Sequence, residues 1–343
     1  MSRCLQLAEL GAGYVAPNPM VGAVLVYNNV IIGEGYHRQY GAAHAEVNCI
    51  NAVPEEHKKN IAESTLYVSL EPCAHFGKTP PCADLIIRQK IPRVVIGCRD
   101  LFAKVNGQGI KKLKDAGIDV QEGILEEAAK ELNKRFFCFH QQHRPYIILK
   151  WAQTADGFIA GKNYEPMAIS NAFTNRWVHR MRARNAAIMI GTRTALADEP
   201  SLTARHWPGN NPVRIVIDKQ LQIPETAALY SNNAPVFILN EIKEEKKGHI
   251  QFFKLRPGEN ILLQLNRFLY EQDINSVLVE GGSVLLQSFI AADIWDEAFC
   301  ITNTDKRTGT GIAAVQLPEE KKCDQFNIST DTIIHYKNHR IQN

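Results

Sequence analysis

An α/β fold in two domains is what the sequence predicts, and three features carry the prediction. The 343 residues exceed the usual size of one hydrophobic core. β-rich runs alternate with helical segments, once through each half of the chain. Between the halves, "CFHQQHRPYI" interrupts the alternation with polar residues and Arg144-Pro145, which sets a boundary at about residue 144 and domains of 1–143 and 144–343.

In the first half an opening helix precedes "MVGAVLVYNNVIIGEGYH", two β-rich runs joined at Asn28-Asn29, a hairpin signal. "AHAEVNCINAV" reads as a helix and "STLYVSLEP" as a strand ending at Pro72. "PPCADLIIRQK" opens a helix on two prolines, whose fixed φ suits a helix entrance, and "PRVVIGCRD" is the next strand. "NGQGIKKL" carries a glycine pair and reads as a loop. The second half starts with the β-run "RPYIILKWAQTADGFIAG" and passes through the arginine-rich helix "NRWVHRMRARN". Strands follow at "AAIMIGT", "PVRIVID" and "APVFILN", then the helix "ENILLQLNRFLYEQ", the strand "SVLVE", a helix opening at Gly281-Gly282, and the strand "DEAFCITN".

Composition narrows the function classes. An apolar fraction of 45% and a charged fraction of 22% are those of an ordinary soluble globular protein. No run approaches the roughly 20 apolar residues of a spanning helix, and "MSRCLQLAELGAGYVAPNPM" lacks a basic n-region and an unbroken apolar core, so a cytoplasmic protein without a membrane role is expected. The 39 basic and 36 acidic residues give a net charge of +3, too balanced for a nucleic-acid binder but compatible with small anionic ligands. Eight cysteines in so long a chain read as thiols or metal ligands rather than a disulfide framework. Cys4, Cys49, Cys98, Cys138, Cys300 and Cys323 are scattered and read as structural, whereas Cys73 and Cys82 sit close together in a loop-like segment.

A catalytic zinc takes three protein ligands and leaves a fourth position for water. His44, Cys73 and Cys82 supply such a set. Water activated by a metal still needs a proton carrier, and Glu46, two residues from His44, is placed for that role. The nucleobase deaminases combine H-x-E with P-C and a second cysteine in this way, and "HAE" and "EPC" fit. Eight residues, "AHFGKTPP", separate the two cysteines, and this longer loop carries His75 and Lys78, suited to an anionic group beside the metal. Two other readings stay open: a structural zinc in a binding module without catalysis, and a deaminase of RNA or DNA, which would call for a basic groove and stacking aromatics.

In the second half, Glu280-Gly281-Gly282-Ser283 reads as a strand-to-helix turn. Bare glycines there either let a cofactor pyrophosphate approach the helix N–H groups or serve simple turn chemistry. No G-x-G-x-x-G follows the opening strand, so a Rossmann domain is not supported.

The segments "APNPMVGAVLV", "GEGYH", "HAEV", "TLYVSLEPCAHFGKTPPC" and "RVVIGCRD" resemble the deaminase half of the RibD family, bifunctional deaminases and reductases of riboflavin biosynthesis. "LKWAQTADG", "IMIGTRTALADEPSLTAR", "PVRIVID" and "VEGGSVLLQSF" resemble the reductase half, and the likeness spans nearly the whole chain. It implies a cytidine deaminase-like three-layer α/β/α domain followed by a dihydrofolate reductase-like α/β domain. It also implies one zinc per chain, NADPH in the reductase, pyrimidine ribonucleotides as substrates, and a homo-oligomer, dimer or tetramer. Carried over by matching segments, Asn18, His37, His75 and Lys78 would hold the deaminase substrate around the zinc. Ala152, Thr194, Asp198, Gly282 and Ser283 would line the NADPH site, and Arg182, Leu202, Arg205 and Glu280 would face the reductase substrate. Arginines suit a ribose phosphate, and an acid near the sugar would assist ring opening or proton delivery. Because Arg176, Arg180 and Arg184 share its helix, Arg182 also reads as part of a solvated face. The chain departs from the family pattern in "DLFAKVNGQGI", "YEPMAISN" and "TADG".

Overall fold

The structure, a computed structural model, describes residues 1–74, 80–101, 106–231 and 234–338. The chain divides into two compact units, Met1–His143 and Arg144–Asn343.

The first unit runs α1 (Ser2–Glu9), β1 (Gly22–Tyr27), β2 (Val30–Tyr36), α2 (Ala45–Asn51), β3 (Thr65–Leu70), α3 (Cys82–Arg88), β4 (Arg93–Cys98), α4 (Gln108–Asp115), β5 (Asp119–Gln121), α5 (Glu126–Leu132) and α6 (Lys134–Gln142). Asn28 and Asn29 both take positive φ, 45° and 62°, the backbone that a two-residue hairpin turn requires. β1 pairs antiparallel with β2 and β3, β3 and β5 flank β4 in parallel, and the sheet order is β2-β1-β3-β4-β5. Alternation along each strand then builds two apolar faces. Leu25, Leu66 and Ile96 meet Cys49 of α2, Ile86 of α3 and Leu113 of α4 on one side. Val24 and Tyr67 meet Cys4 and Leu7 of α1 on the other, where Leu5 continues into Ala129 and Phe136 of α5 and α6. The result is the three-layer α/β/α architecture.

One expected loop is a helix. "NGQGIKKL" forms the start of α4, and the reason lies outside the segment. The buried carboxylate of Glu71 accepts the backbone N–H groups of Asp100, Gly107, Gly109 and Ile110 at 3.2, 3.0, 2.9 and 3.2 Å. Donors that a helix start would leave orphaned are thereby satisfied. A Cβ on Gly109 would lie 1.9 Å from the Pro72 carbonyl oxygen, so this glycine serves a close approach rather than a turn.

The second unit runs β6 (Tyr146–Thr154), β7 (Phe158–Ala160), α7 (Ala172–Ala183), β8 (Ala187–Gly191), α8 (Thr192–Asp198), β9 (Val213–Ile217), β10 (Val236–Asn240), β11 (Glu245–Lys247), β12 (Ile250–Lys254), α9 (Ile261–Glu271), β13 (Ser276–Val279), α10 (Ser283–Ala291), β14 (Glu297–Asn303), β15 (Ile312–Ala313), β16 (Lys322–Ile328) and β17 (Asp331–Lys337). Its main sheet has the order β11-β12-β10-β9-β8-β13-β6-β14-β17-β16, with β12 through β14 of that order mutually parallel. Ile147, Leu149, Met189 and Val277 face Leu265 and Phe268 of α9 and Phe289 of α10. Ile188, Ile190 and Val216 face Ala195 of α8, while Ile301 and Ile333 face Val178 of α7. Parallel strands buried on both faces place a crevice beyond their carboxyl ends, and both β13 and β8 lead from there directly into helices. Five of the six scattered cysteines are buried as core thiols; Cys323 is instead exposed on β16, its Sγ donating to the His335 carbonyl.

Candidate active sites

The first site forms where three segments of the N-terminal unit converge. His44 ends the loop before α2 in extended conformation, Cys73 follows β3, and Cys82 is the first residue of α3. The backbone N–H of Cys82 donates to Cys73 Sγ at 3.3 Å and that of Ala83 to the Cys73 carbonyl at 3.1 Å, which holds the start of α3 against Cys73. His44 Nδ1 lies 3.5 Å from Cys73 Sγ and 3.4 Å from Cys82 Sγ. A tetrahedral zinc with bonds of about 2.3 Å to sulfur and about 2.0 Å to nitrogen sets those atoms about 3.5 Å apart, so the three ligands already stand at zinc spacing. Among the described residues these three alone form such a group, with ligand atoms within 4.8 Å of one another. A structural site with four protein ligands is therefore not what the described residues build. Hydrogen bonds from Cys82 and His44 push the Cys73 thiol down to about 4, towards the thiolate a metal requires, and push Cys82 up in turn.

Glu46 sits in the first turn of α2 and is 3% exposed. Burial first, and the charge of Cys73 second, push its carboxyl up to about 7. A carboxyl poised there both accepts and releases protons near neutral pH. His37, at the end of β2, packs edge-on to His44 with ring centroids 5.4 Å apart. Its Nδ1 faces the Ala43 carbonyl at 3.1 Å, and a carbonyl only accepts, so Nδ1 carries the proton. Burial lowers the His37 pKa and keeps the ring neutral, which makes Nε2 an acceptor for Asn18 Nδ2 at 3.2 Å. The Asn18 amide is thereby oriented with its oxygen left for a donor. His75 and Lys78 lie outside the described residues.

Glu71 is a residue that sequence reasoning passed over. It stands two positions before Cys73 and ties that ligand's segment to the start of α4 through three hydrogen bonds and to Asp100, just after β4, through a fourth. Only the "EPC" triplet hinted at it. Glu71→Gln sets an amide NH₂ against backbone donors and is expected to weaken zinc binding about tenfold, read by chelator competition. Unchanged zinc affinity would remove Glu71 from the site's support.

The second site is a cleft of about 890 Å³ at the carboxyl ends of β6, β8, β9 and β13. A cleft of this size suits a ligand as large as a nucleotide cofactor. Ala152, Thr194, Asp198, Gly282 and Ser283 all line it, as do Arg182, Leu202 and Glu280. Gly281 takes φ +116°, which only glycine adopts freely, and a Cβ on Gly282 would press to 3.1 Å of Thr194 Oγ1. Arg182 is not on a solvated face: its Nε and Nη2 both lie 2.7 Å from the Glu280 carboxylate, which also accepts from Lys150 Nζ at 3.4 Å. Burial alone would raise the Glu280 pKa, but Arg182 and Lys150 together hold it down at about 2. This corrects one sequence expectation. An acid so firmly ionised accepts hydrogen bonds and does not deliver a proton at neutral pH. Lys150, a lone cation on β6, was not singled out in the sequence; strand alternation turns it away from Leu149 and towards Glu280.

A pocket of about 450 Å³ shares Arg182, Asp198 and Leu202 with the cleft and adds Arg205, His179 and His206. Arg205 Nη1 donates to Ser201 Oγ at 3.0 Å. Burial first, and the charge of Arg182 second, press His179 down to about 4, so it stays a neutral donor. Guanidinium and imidazole N–H groups around a small pocket fit a phosphate.

Two separate sites, one spaced for a metal and the other shaped for an extended phosphate-bearing ligand, make this an enzyme of the bifunctional deaminase–reductase class. The family described as the cytidine and deoxycytidylate deaminase zinc-binding region matches residues 1–98, and the RibD C-terminal domain matches residues 145–319. The riboflavin biosynthesis protein RibD of Aquifex aeolicus is 38% identical over 98% of this chain and 97% of its own. That of Escherichia coli is 35% identical over 87% and 84%. The crystal structure of a diaminohydroxyphosphoribosylaminopyrimidine deaminase/5-amino-6-(5-phosphoribosylamino)uracil reductase from Thermotoga maritima superposes with a TM-score of 0.89 at 36% identity, over 98% of this chain and 97% of that one. RibD of Acinetobacter baumannii does so at 0.87 and 28%, with the same coverage. The chain belongs to the RibD family. Among the described residues no helix is long and apolar enough to cross a membrane.

Proposed function

We propose that residues 1–143 are a zinc-dependent deaminase of 2,5-diamino-6-ribosylamino-4(3H)-pyrimidinone 5′-phosphate. Residues 144–343 then reduce the ribosyl side chain of the product, 5-amino-6-(5-phosphoribosylamino)uracil, to ribityl with NADPH. The observation that carries this reading is the pairing of a three-ligand centre beside buried Glu46 with a separate cleft that opens onto a pocket lined by Arg182, Arg205 and His179. His44, Cys73 and Cys82 would hold zinc, which supplies Lewis acidity that makes water nucleophilic at neutral pH. Hydrolytic deamination takes a proton from water and gives one to the departing ammonia; Glu46 is the group for both transfers. Asn18 offers its amide oxygen to the substrate, His37 orients Asn18, and His75 and Lys78 are assigned to the substrate by family resemblance alone.

In the reductase, NADPH supplies the hydride. Ala152, Thr194, Asp198, Gly282 and Ser283 would line the cofactor. Arg205, with His179, would take the substrate phosphate, Arg182 would face the substrate while holding Glu280, Leu202 would pack on the substrate, and Glu280 would accept a hydrogen bond from the sugar. We place the enzyme in the cytoplasm as a homo-oligomer, dimer or tetramer, acting on free nucleotides rather than nucleic acid. The test is incubation of the full chain with the diaminopyrimidine nucleotide. Without NADPH, ammonia and the deaminated nucleotide are expected; with NADPH, the ribityl product and matching loss of NADPH absorbance. Deamination of a polynucleotide with no turnover of the free nucleotide would overturn the reading.

A further inference from the structure

The proposed reduction brings three phosphate-bearing positions to the second unit: the substrate's 5′-phosphate, the cofactor pyrophosphate, and the 2′-phosphate that distinguishes NADPH from NADH. The first has the pocket of Arg205 and His179, and the second has the backbone N–H groups at Gly282-Ser283. The third has no group assigned to it.

Three cations line the cleft: Lys150, Arg182 and Arg193. Lys150 and Arg182 are both committed to Glu280. Arg193 is in no ion pair among the described residues. It lines the cleft but not the phosphate pocket, so it is not part of the substrate's anion site. Its guanidinium lies over the Tyr164 ring, 4.2 Å from the centroid, and Tyr164 lines the same cleft. The cation–π contact with the ring positions the guanidinium, whose N–H groups remain for a phosphate.

Placement agrees with charge. Arg193 follows Thr192, whose hydroxyl donates to the Ile217 carbonyl at the end of β9, at 2.6 Å. Arg193 therefore belongs to the β8–β9 flank of the cleft, and Lys150 to the β6 flank across β13. Sites that favour the unphosphorylated cofactor set a carboxylate against the ribose 2′-hydroxyl. Of the acids lining this cleft, Glu280 is held by Arg182 and Lys150, and Asp198 stands at the opposite end of α8 from Arg193, where it also lines the phosphate pocket.

We propose that Arg193, positioned over Tyr164, reads the 2′-phosphate and sets the reductase's preference for NADPH over NADH. This rests on the reductase reading above. The experiment measures dissociation constants of NADPH and NADH by fluorescence for the full-length wild type, Arg193→Gln and Arg193→Lys, with no substrate present. Loss of a charge-assisted hydrogen bond predicts an NADPH affinity about ten- to hundredfold lower in Arg193→Gln, with NADH affinity within about twofold of wild type. Arg193→Lys keeps the charge without the guanidinium and should fall between the two. NADH binding doubles as the check that the variant is folded. Equal weakening of both cofactors, or an unchanged preference, would overturn the proposal, as would a wild type that binds the two alike. A wild type that binds neither would overturn the reductase reading itself.

Discussion

Glu46→Gln lowers the rate of deamination by about 10²- to 10⁴-fold while zinc stays bound, the range that a lost general acid–base group accounts for. Glutamine preserves the shape of a side chain that is 3% exposed, so the packing of α2 is undisturbed, but an amide cannot carry protons. The three ligands are untouched, and zinc measured by atomic absorption should match the wild type. Cys73→Ser and Cys82→Ser provide the contrast: each removes a ligand sulfur, and both metal and activity should go. Reduction of the deaminated nucleotide by all three variants should remain normal, because their changes lie in the first unit. Near-normal deamination by Glu46→Gln at saturating zinc would remove Glu46 from the chemistry.

Glu280→Gln should lower the rate of reduction by at least about 10²-fold and leave NADPH binding within about twofold, since the carboxylate orients Arg182 and Lys150 rather than the glycine turn. The same change leaves two buried cations without a counter-charge and should cost the second unit about 3 kcal/mol. The pH dependence follows from the shift. A carboxyl held at about 2 in the folded state, against an ordinary 4.5, stabilises the fold fully above pH 4.5. That contribution is lost as pH falls towards 2, and the glutamine variant should lack this acid limb in thermal melts. A variant with wild-type melting behaviour and wild-type reduction would mean that the triad is incidental to the cleft.

How much of this was legible in the sequence depended on the distance over which each feature is specified. Strand and helix alternation is a local pattern, so both α/β units and the Asn28-Asn29 hairpin could be read directly. His44 with Glu46, and Cys73 with Cys82, are short-range pairs of chemically distinctive residues, and the fold brings the three ligand atoms within 4.8 Å of one another. The β16–β17 hairpin escaped because β16 is largely exposed and carries no strong apolar alternation. α4 escaped because its glycines signal a loop, whereas the groups that cap and admit it, Glu71 and Pro72, lie more than thirty residues upstream.

The charges of the second unit were decided by tertiary structure alone. In the sequence Arg182 is one of several arginines on a helix, and Glu280 is an acid beside two glycines. Whether that acid is ionised or can give a proton depends on Arg182, 98 residues away, and Lys150, 130 residues away. A pKa responds to burial and to neighbouring charge in space, and neither is encoded in adjacent letters. The same holds for Arg193, whose availability is known only once the acid has claimed the other two cations of the cleft. The sequence alone determined the two folds and the kinds of group each site contains; packing determined which of those groups are charged, paired or left to meet a ligand.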